Sequence, residues 1–496
     1  MSLAWAEAAA SLCLSDLRDC KLRRSRTSYQ RLALRGLRNQ LFDGGVLETA
    51  ECDNRMPGTT TPDQPLEKSP GGALVSPKKP GFLLRILGTL GPGLITGAAD
   101  DDPSGISTYS VAGAAYGYTT LWIALLTFPL MAAVQMMMCA RLGIVSGKGL
   151  AAAVRSNYPR WVLWGACSIL VVANVINIGA DLGGMAEATQ LVTGIRPLVW
   201  IPFYALLILG LLIWTSYKWI AQVFKWMTLV LFAYVLASFF AHVDWKEALL
   251  VTLVPHLEWS RGFLAVLVGI LGTTISPYLF FWQAAEEVEE ERAKGKRTVA
   301  RRKGATAEEL KDTRTDTVVG MFFSNFIMYF IILTTGATLH AHGQTNITTA
   351  REAAEALRPL AGNGAYLLFT LGLIGTGMLG VPVLVGSSAY AVAEGAKWRG
   401  SMSDRPKKAR AFYGVMAVAM ALGFALNYVG LNAVKMLFWS AVINGLLAPP
   451  LILLVILLTN NRKVMGKHAN SPVLRYLGWA TFVVMTAAAA GMLITS

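Results

Sequence analysis

Gly91-Pro92-Gly93-Leu94-Ile95-Thr96-Gly97-Ala98-Ala99-Asp100-Asp101-Asp102-Pro103-Ser104-Gly105 is the stretch that decides the fold. It puts three consecutive carboxylates and a helix breaker in the middle of an otherwise apolar segment. Pro103 has no amide hydrogen and biases Asp102 away from helical dihedrals, so the segment divides into two half-helices joined by unwound backbone. At membrane depth such backbone survives only where protein or a water-filled cavity covers it. A packing kink would account for the proline but not for the aspartates, because carboxylates inside a membrane segment are functional by default.

The rest of the chain supports a membrane setting. Of 496 residues, 54% are hydrophobic and 15% charged, against about 45–50% and about 25% in soluble domains. Apolar runs of spanning length lie near 82–117, 120–140, 161–192, 198–215, 219–241, 262–291, 318–340, 366–393, 411–426, 431–458 and 474–494, eleven in all. Five runs after the first break the sixth repeats it: Gly272-Thr273-Thr274-Ile275-Ser276-Pro277-Tyr278. Interrupted helices at matching places in two five-span halves point to an all-helical, inverted-repeat transporter with its site at the midplane. The expected divisions are a basic tail (1–80), the first repeat (81–241), the second repeat (242–458) and an added helix (459–496).

The net charge of +14 comes from 44 Lys+Arg against 30 Asp+Glu, and its placement excludes a nucleic-acid partner. With the N-terminus inside, the inner loops carry 24 Lys/Arg and the outer loops five, leaving out the tail. This asymmetry sets the N-terminus in the cytoplasm and the C-terminus outside, in an inner (plasma) membrane. The tail is basic between Arg18 and Arg38, then rich in Thr, Pro and Gly, and reads as mostly disordered. Its charges follow the short apolar stretch Ala4–Leu14, so it does not read as a signal peptide; a transit peptide is the minor alternative. The five cysteines form no C-x-x-C pair, so neither a disulfide framework nor a zinc site is indicated. No catalytic motif is present, and an enzyme or ATP-driven pump is not expected.

The break is suited to a cation. Unwound carbonyls, the negative ends of the preceding half-helices and the Asp102 charge all favour one. Side-chain donors around the two breaks are oxygens only: Asp102, Ser104, Thr273, Thr274, Ser276 and, further off, Tyr278. Softer metals favour sulfur or imidazole, whereas carboxylate, carbonyl and water suit Mg²⁺, Ca²⁺ and Mn²⁺. Mg²⁺ keeps several waters, and the small residues Ser104, Gly105, Thr273 and Ser276 leave room for them.

These residues resemble the NRAMP family of divalent-metal transporters. The resemblance rests on Gly91–Gly105, on Asp181-Leu182-Gly183-Gly184 of segment 3 and on Ser276-Pro277-Tyr278, and it extends from segment 1 to segment 11. It implies the LeuT-like fold and a metal site at the two breaks. The family's Asp-Pro-Gly-Asn is here Asp102-Pro103-Ser104-Gly105, so the carboxylate stays and the asparagine ligand becomes Gly105. Its alanine and methionine ligands on segment 6 become Thr273 and Ser276, which removes the sulfur. Its proton-route histidine becomes Tyr278, and the glutamate of its segment 3 acidic pair becomes Gly184, while Asp181 remains. The pattern resembles the NRAMP-related magnesium transporters, which carry Mg²⁺ and also Mn²⁺ without coupled protons.

Asp102, Gly105, Thr273 and Ser276 are thus the expected metal-site residues, with Ser104, Tyr278, Asn177, Asp181 and Asn444 along the path. Asn174 shares a helix face with Asn177 and Asp181 and either lines that path or bonds a neighbouring helix. The run Glu286–Glu291 reads as a solvated helix end paired with the Arg and Lys that follow; a cation-concentrating inner mouth is the alternative. No metal site is expected at His340 and His342. The expected activity is uptake of partly hydrated Mg²⁺ or Mn²⁺ by a monomeric carrier in the lipid bilayer, with no cofactor. A proton-coupled Mn²⁺/Fe²⁺ carrier is the alternative, followed by an amino-acid or organic-cation carrier and then a channel.

Overall fold

The computed structural model describes residues 92–215, 229–296 and 298–495. The expected tail at 1–80, the start of segment 1 through Gly91, and residues 219–228 of segment 5 lie outside them. All regular structure among the described residues is helical. Among the described residues nine helices are long and apolar enough to cross a membrane. With the divided segment 1 and the part of segment 5 that ends at Phe240, they account for the eleven expected spans.

Both expected breaks are present. Segment 1 forms Pro92–Asp100 and Pro103–Tyr116, and segment 6 forms Arg261–Thr274 and Pro277–Ala293. In each, proline takes the first position of the second half-helix, where its missing N–H costs nothing. Segment 2, Trp122–Ser146, departs from uniform α-helix by a π-helical stretch at Ala132–Ala140. Segment 3 is Arg160–Thr193, segment 7 Ala307–Thr338, segment 8 Ala365–Ala396, segment 9 Arg410–Leu426 and segment 10 Ala433–Asn460.

Short helices that the hydropathy pattern does not reveal occupy the loops. Trp245–Leu253 turns by 117° from segment 5, and Ala350–Glu355 begins with a capping box made by Thr349 and Glu352.

Glycines fix how closely the spans meet. A Cβ on Gly97 would fall inside the Gly320 peptide of segment 7, and one on Gly93 would lie 2.7 Å from Thr317 Cα. Small residues of this kind let membrane helices approach backbone to backbone. Segment 7 thereby braces the first half of segment 1, while the Asp316 carboxylate accepts from the Gly93 and Leu94 amides at 2.7 and 3.2 Å. Segments 6 and 10 meet in the same way through Gly272 and Gly445.

The acidic end of segment 6 differs from the sequence reading. Its pairing with following cations holds: Glu289 with Arg292 at 2.6 Å and Glu291 with Lys296 at 2.5 Å. It is only partly solvated, however: Glu290 is 35% exposed, whereas Glu287 and Glu291 are only 2% exposed. Glu287 accepts from Gln283 at 2.8 Å, and Glu289 from Ser401 at 2.5 Å. Neighbouring loops cover this helix end, which a helical periodicity does not report. Lys296 also reaches Glu309 at 2.8 Å, and these two carboxylates raise its pKa.

Candidate metal site

Asp102 organises the first break. It is the N-cap of Pro103–Tyr116: Oδ1 accepts from the Gly105 amide at 2.9 Å and from the Ser104 hydroxyl at 2.6 Å. Oδ2 accepts from Asn177 Nδ2 at 2.9 Å and from the Tyr278 hydroxyl at 3.4 Å. The same hydroxyl lies 3.0 Å from Ala99 O, so its one hydrogen is shared between that carbonyl and Oδ2. Segments 1, 3 and 6 therefore converge on one carboxylate that is 1% exposed.

The second break lies against the first. A methyl group on Gly105 would sit 3.0 Å from Thr273 Oγ1 and 3.4 Å from Asp100 O, so these two expected site residues are neighbours. Ser276 is buried in the same break and turns its hydroxyl onto Thr273 O and Gly272 O, at 2.6 and 3.0 Å. Its hydrogen is thus committed to backbone, while its oxygen keeps acceptor capacity. Segment 8 closes the other side of Asp102, since a Cβ on Gly380 would lie 3.0 Å from Asp102 Cβ.

The pathway residues divide into two kinds. Asn177 and Asp181 are at the site; both Asp181 carboxylate oxygens are buried without a well-aligned donor, as is Asn177 Oδ1. Asn174 bonds Leu384 O, Ser387 and Ser388 of segment 8, each at 2.9 Å, and so takes the interhelical role. Both amide atoms of Asn444 are buried and unpartnered. Its neighbours Ala441 and Gly445 abut Gly272, one residue from Thr273. His340 and His342 bond backbone carbonyls of Ala114 and Thr338.

Two features escape the sequence reading. Gln135, in the π-helical stretch of segment 2, donates to Thr274 O at 2.8 Å and so occupies a carbonyl freed by the second break. Such stretches recur at functional sites. Asp100 and Asp101 turn away from Asp102 towards segment 7, where Ser324 Oγ lies 2.7 Å from Asp100 Oδ2 and 3.2 Å from Asp101 Oδ1. One hydroxyl hydrogen cannot satisfy both. The only hint was the aspartate run itself.

Among the described residues no three His, Cys, Asp or Glu side chains form a metal cage. A single principal carboxylate among hydroxyl, amide and carbonyl oxygens suits a hard cation that retains water.

The family model described as "Natural resistance-associated macrophage protein-like" (Nramp) matches residues 93–495. The divalent metal cation transporter MntH of Aeromonas hydrophila is 27% identical over 398 residues, covering 78% of this chain and 91% of that one. MntH of Klebsiella pneumoniae is 27% identical over 406 residues, covering 80% and 92%. Among solved structures, the Eremococcus coleocola manganese transporter superposes with a TM-score of 0.67 at 18% identity, covering 83% of this chain and 87% of that one. Mhp1, a nucleobase-cation-symport-1 family transporter, superposes at 0.50 and 14% identity, covering 82% and 93%. These likenesses show the fold: an all-helical, LeuT-like membrane protein.

Proposed function

We propose, from the premise that this chain belongs to the Nramp family and is a multi-pass transporter of divalent metal cations, that it imports partly hydrated Mg²⁺, and also Mn²⁺, without coupled protons. It would work by alternating access as a monomer, with the basic loops in the cytoplasm, close to the magnesium-carrying branch of the family. One observation carries this reading: the groups brought to Asp102 and Gly105 at the two breaks, Ser104, Thr273 and Tyr278, carry oxygen, while the Met185 thioether of segment 3 packs against Gly377 of segment 8. Asp102 would be the charged ligand. Thr273 and Ser276 would contact the ion or its waters, and the absent side chain of Gly105 would leave them space. Ser104 and Asn177 would hold the Asp102 carboxylate, while Asp181 and Asn444 would order water along the path.

Energetics permit uptake without a second ion. A divalent cation gains about 4.6 kcal/mol per 100 mV, twice the ~2.3 kcal/mol of a single charge, which sustains roughly a thousandfold gradient. The proton-coupled Mn²⁺/Fe²⁺ reading is favoured by one feature, the buried and poorly partnered carboxylate of Asp181.

Competition in proteoliposomes separates the two. Excess Mg²⁺ is expected to suppress Mn²⁺ uptake, with internal pH constant while Mn²⁺ enters. Metal-driven acidification, or Mn²⁺ uptake indifferent to Mg²⁺, would reject the proposal. Ligand chemistry gives a second test. Ser276→Met restores a thioether, and the ratio of Mn²⁺ or Cd²⁺ to Mg²⁺ transport is expected to rise about tenfold or more, since sulfur favours softer ions. An unaltered ratio would remove Ser276 from the ion's surroundings.

A further inference from the structure

Beyond the Asp102 site, on the side away from the basic loops, segments 1, 3, 8 and 10 and the loop helix Ala350–Glu355 enclose a cavity of about 10 Å³, room for about one water. Ser107, one turn beyond Ser104, lines it, as do Gly184, Ala353, Phe369 and Leu437; Glu187 is the one ionisable residue in its wall. Six residues along segment 3 from Asp181, Glu187 lies about 9 Å further from the basic end at 1.5 Å per residue.

The surroundings of Glu187, which is partly exposed, compensate its charge only in part. Its carboxylate faces the backbone amides of Ala433 and Ala350, the first residues of segment 10 and of the loop helix. Both amides offer the partial positive charge of a helix N-terminus but no formal countercharge. On the loop that carries Ala350, Arg358 pairs with Glu355 at 3.0 Å, and Arg351 lies 5.4 Å from the centre of the Tyr366 ring. The loop helix is also tied to segment 10, because Asn432 donates to Thr348 O at 3.0 Å. A carboxylate in a mostly apolar pocket is costly without a charged partner.

We infer that Glu187 is an outer contact for the transported divalent cation, holding it in the vestibule before Asp102 does and returning to the Ala350 and Ala433 amides when the vestibule closes. The inference rests on the carrier reading above. The cation would supply the missing charge, and Ser107 an oxygen on the way to Ser104 and Asp102. Closing would leave the carboxylate on two donors that any acceptor of the same shape satisfies.

Glu187→Gln separates charge from shape, because its amide oxygen can still accept from both backbone amides. For Mn²⁺ entering proteoliposomes from the vestibule side, KM is expected to rise about tenfold with the maximal rate within about twofold of wild type, the pattern of lost ground-state binding. Glu187→Asp keeps the charge, and its KM is expected to stay within about threefold. An unchanged KM in Glu187→Gln would overturn the inference, as would equal rises in both variants, which would mark a structural latch. If the Gln variant does not fold, the Asp variant decides alone, a KM rise beyond about tenfold counting against a charge contact. Wild-type protein that moves no divalent cation would instead defeat the carrier reading itself.

Discussion

Replacing Asp102 by asparagine is expected to lower Mn²⁺ and Mg²⁺ transport by more than about a hundredfold while the protein remains folded. The substitution is nearly isosteric, and the asparagine oxygen can still accept from Gly105 N and Ser104 Oγ, so the cap on Pro103–Tyr116 is retained. What disappears is the formal charge. At an effective permittivity of about 20, a unit charge about 4 Å away is worth about 4 kcal/mol, hence about 8 kcal/mol for a divalent ion. Water offsets much of that, yet a remaining loss of about 3 kcal/mol already exceeds a hundredfold. Asp102→Ala should do the same and also remove the cap. Metal uptake by purified, reconstituted protein, checked for folding by size-exclusion profile and melting temperature, measures the effect. Transport by Asp102→Asn at the wild-type rate would show that the ion binds elsewhere.

The breaks were legible because their causes are local. Pro103 and Pro277 act on their own backbone and on the residue before them, so the sequence alone places Asp102 and Ser276 in unwound backbone between two half-helices. The meeting of the two breaks followed from the repeat, and Gly105 beside Thr273 agrees with it. The unread features depend on which neighbour a helix face meets. Asn174 and Asp181 lie on one stripe of segment 3, but seven residues separate them by about 10 Å along the axis. One is therefore level with Ser387 and Ser388 of segment 8, the other with the break. Gln135 is a single amide in an apolar run, and only the packing of segment 2 against segment 6 gives it Thr274 O. Likewise, Asp100 and Asp101 follow from Ser324, more than two hundred residues away, and Glu187 from loop residues that hydropathy does not place.

Gly272→Val is expected to prevent recovery of folded protein, through steric conflict rather than lost chemistry. Gly272 precedes Thr273 in the last turn of the first half of segment 6. A Cβ there would fall inside the Ala441 carbonyl and the Gly445 amide of segment 10. Segment 10 cannot yield easily, because Gly445 in turn backs onto Val268 O and, at 2.8 Å for a Cβ, onto Val268 Cγ1. Overpacking of side chains costs about 1–3 kcal/mol where neighbours can shift. Here the obstructing atoms are backbone, and separating the helices would forfeit an extended contact. Since that contact also sets the height of Thr273 beside Gly105, Gly272→Ala protein that folds should still transport poorly. Gly414→Val provides the control: nothing lies within 4 Å of a Cβ at Gly414, and that variant should match wild type in yield, melting temperature and uptake. A monodisperse Gly272→Val protein with an unshifted melting temperature would mean that segments 6 and 10 do not meet at this glycine pair.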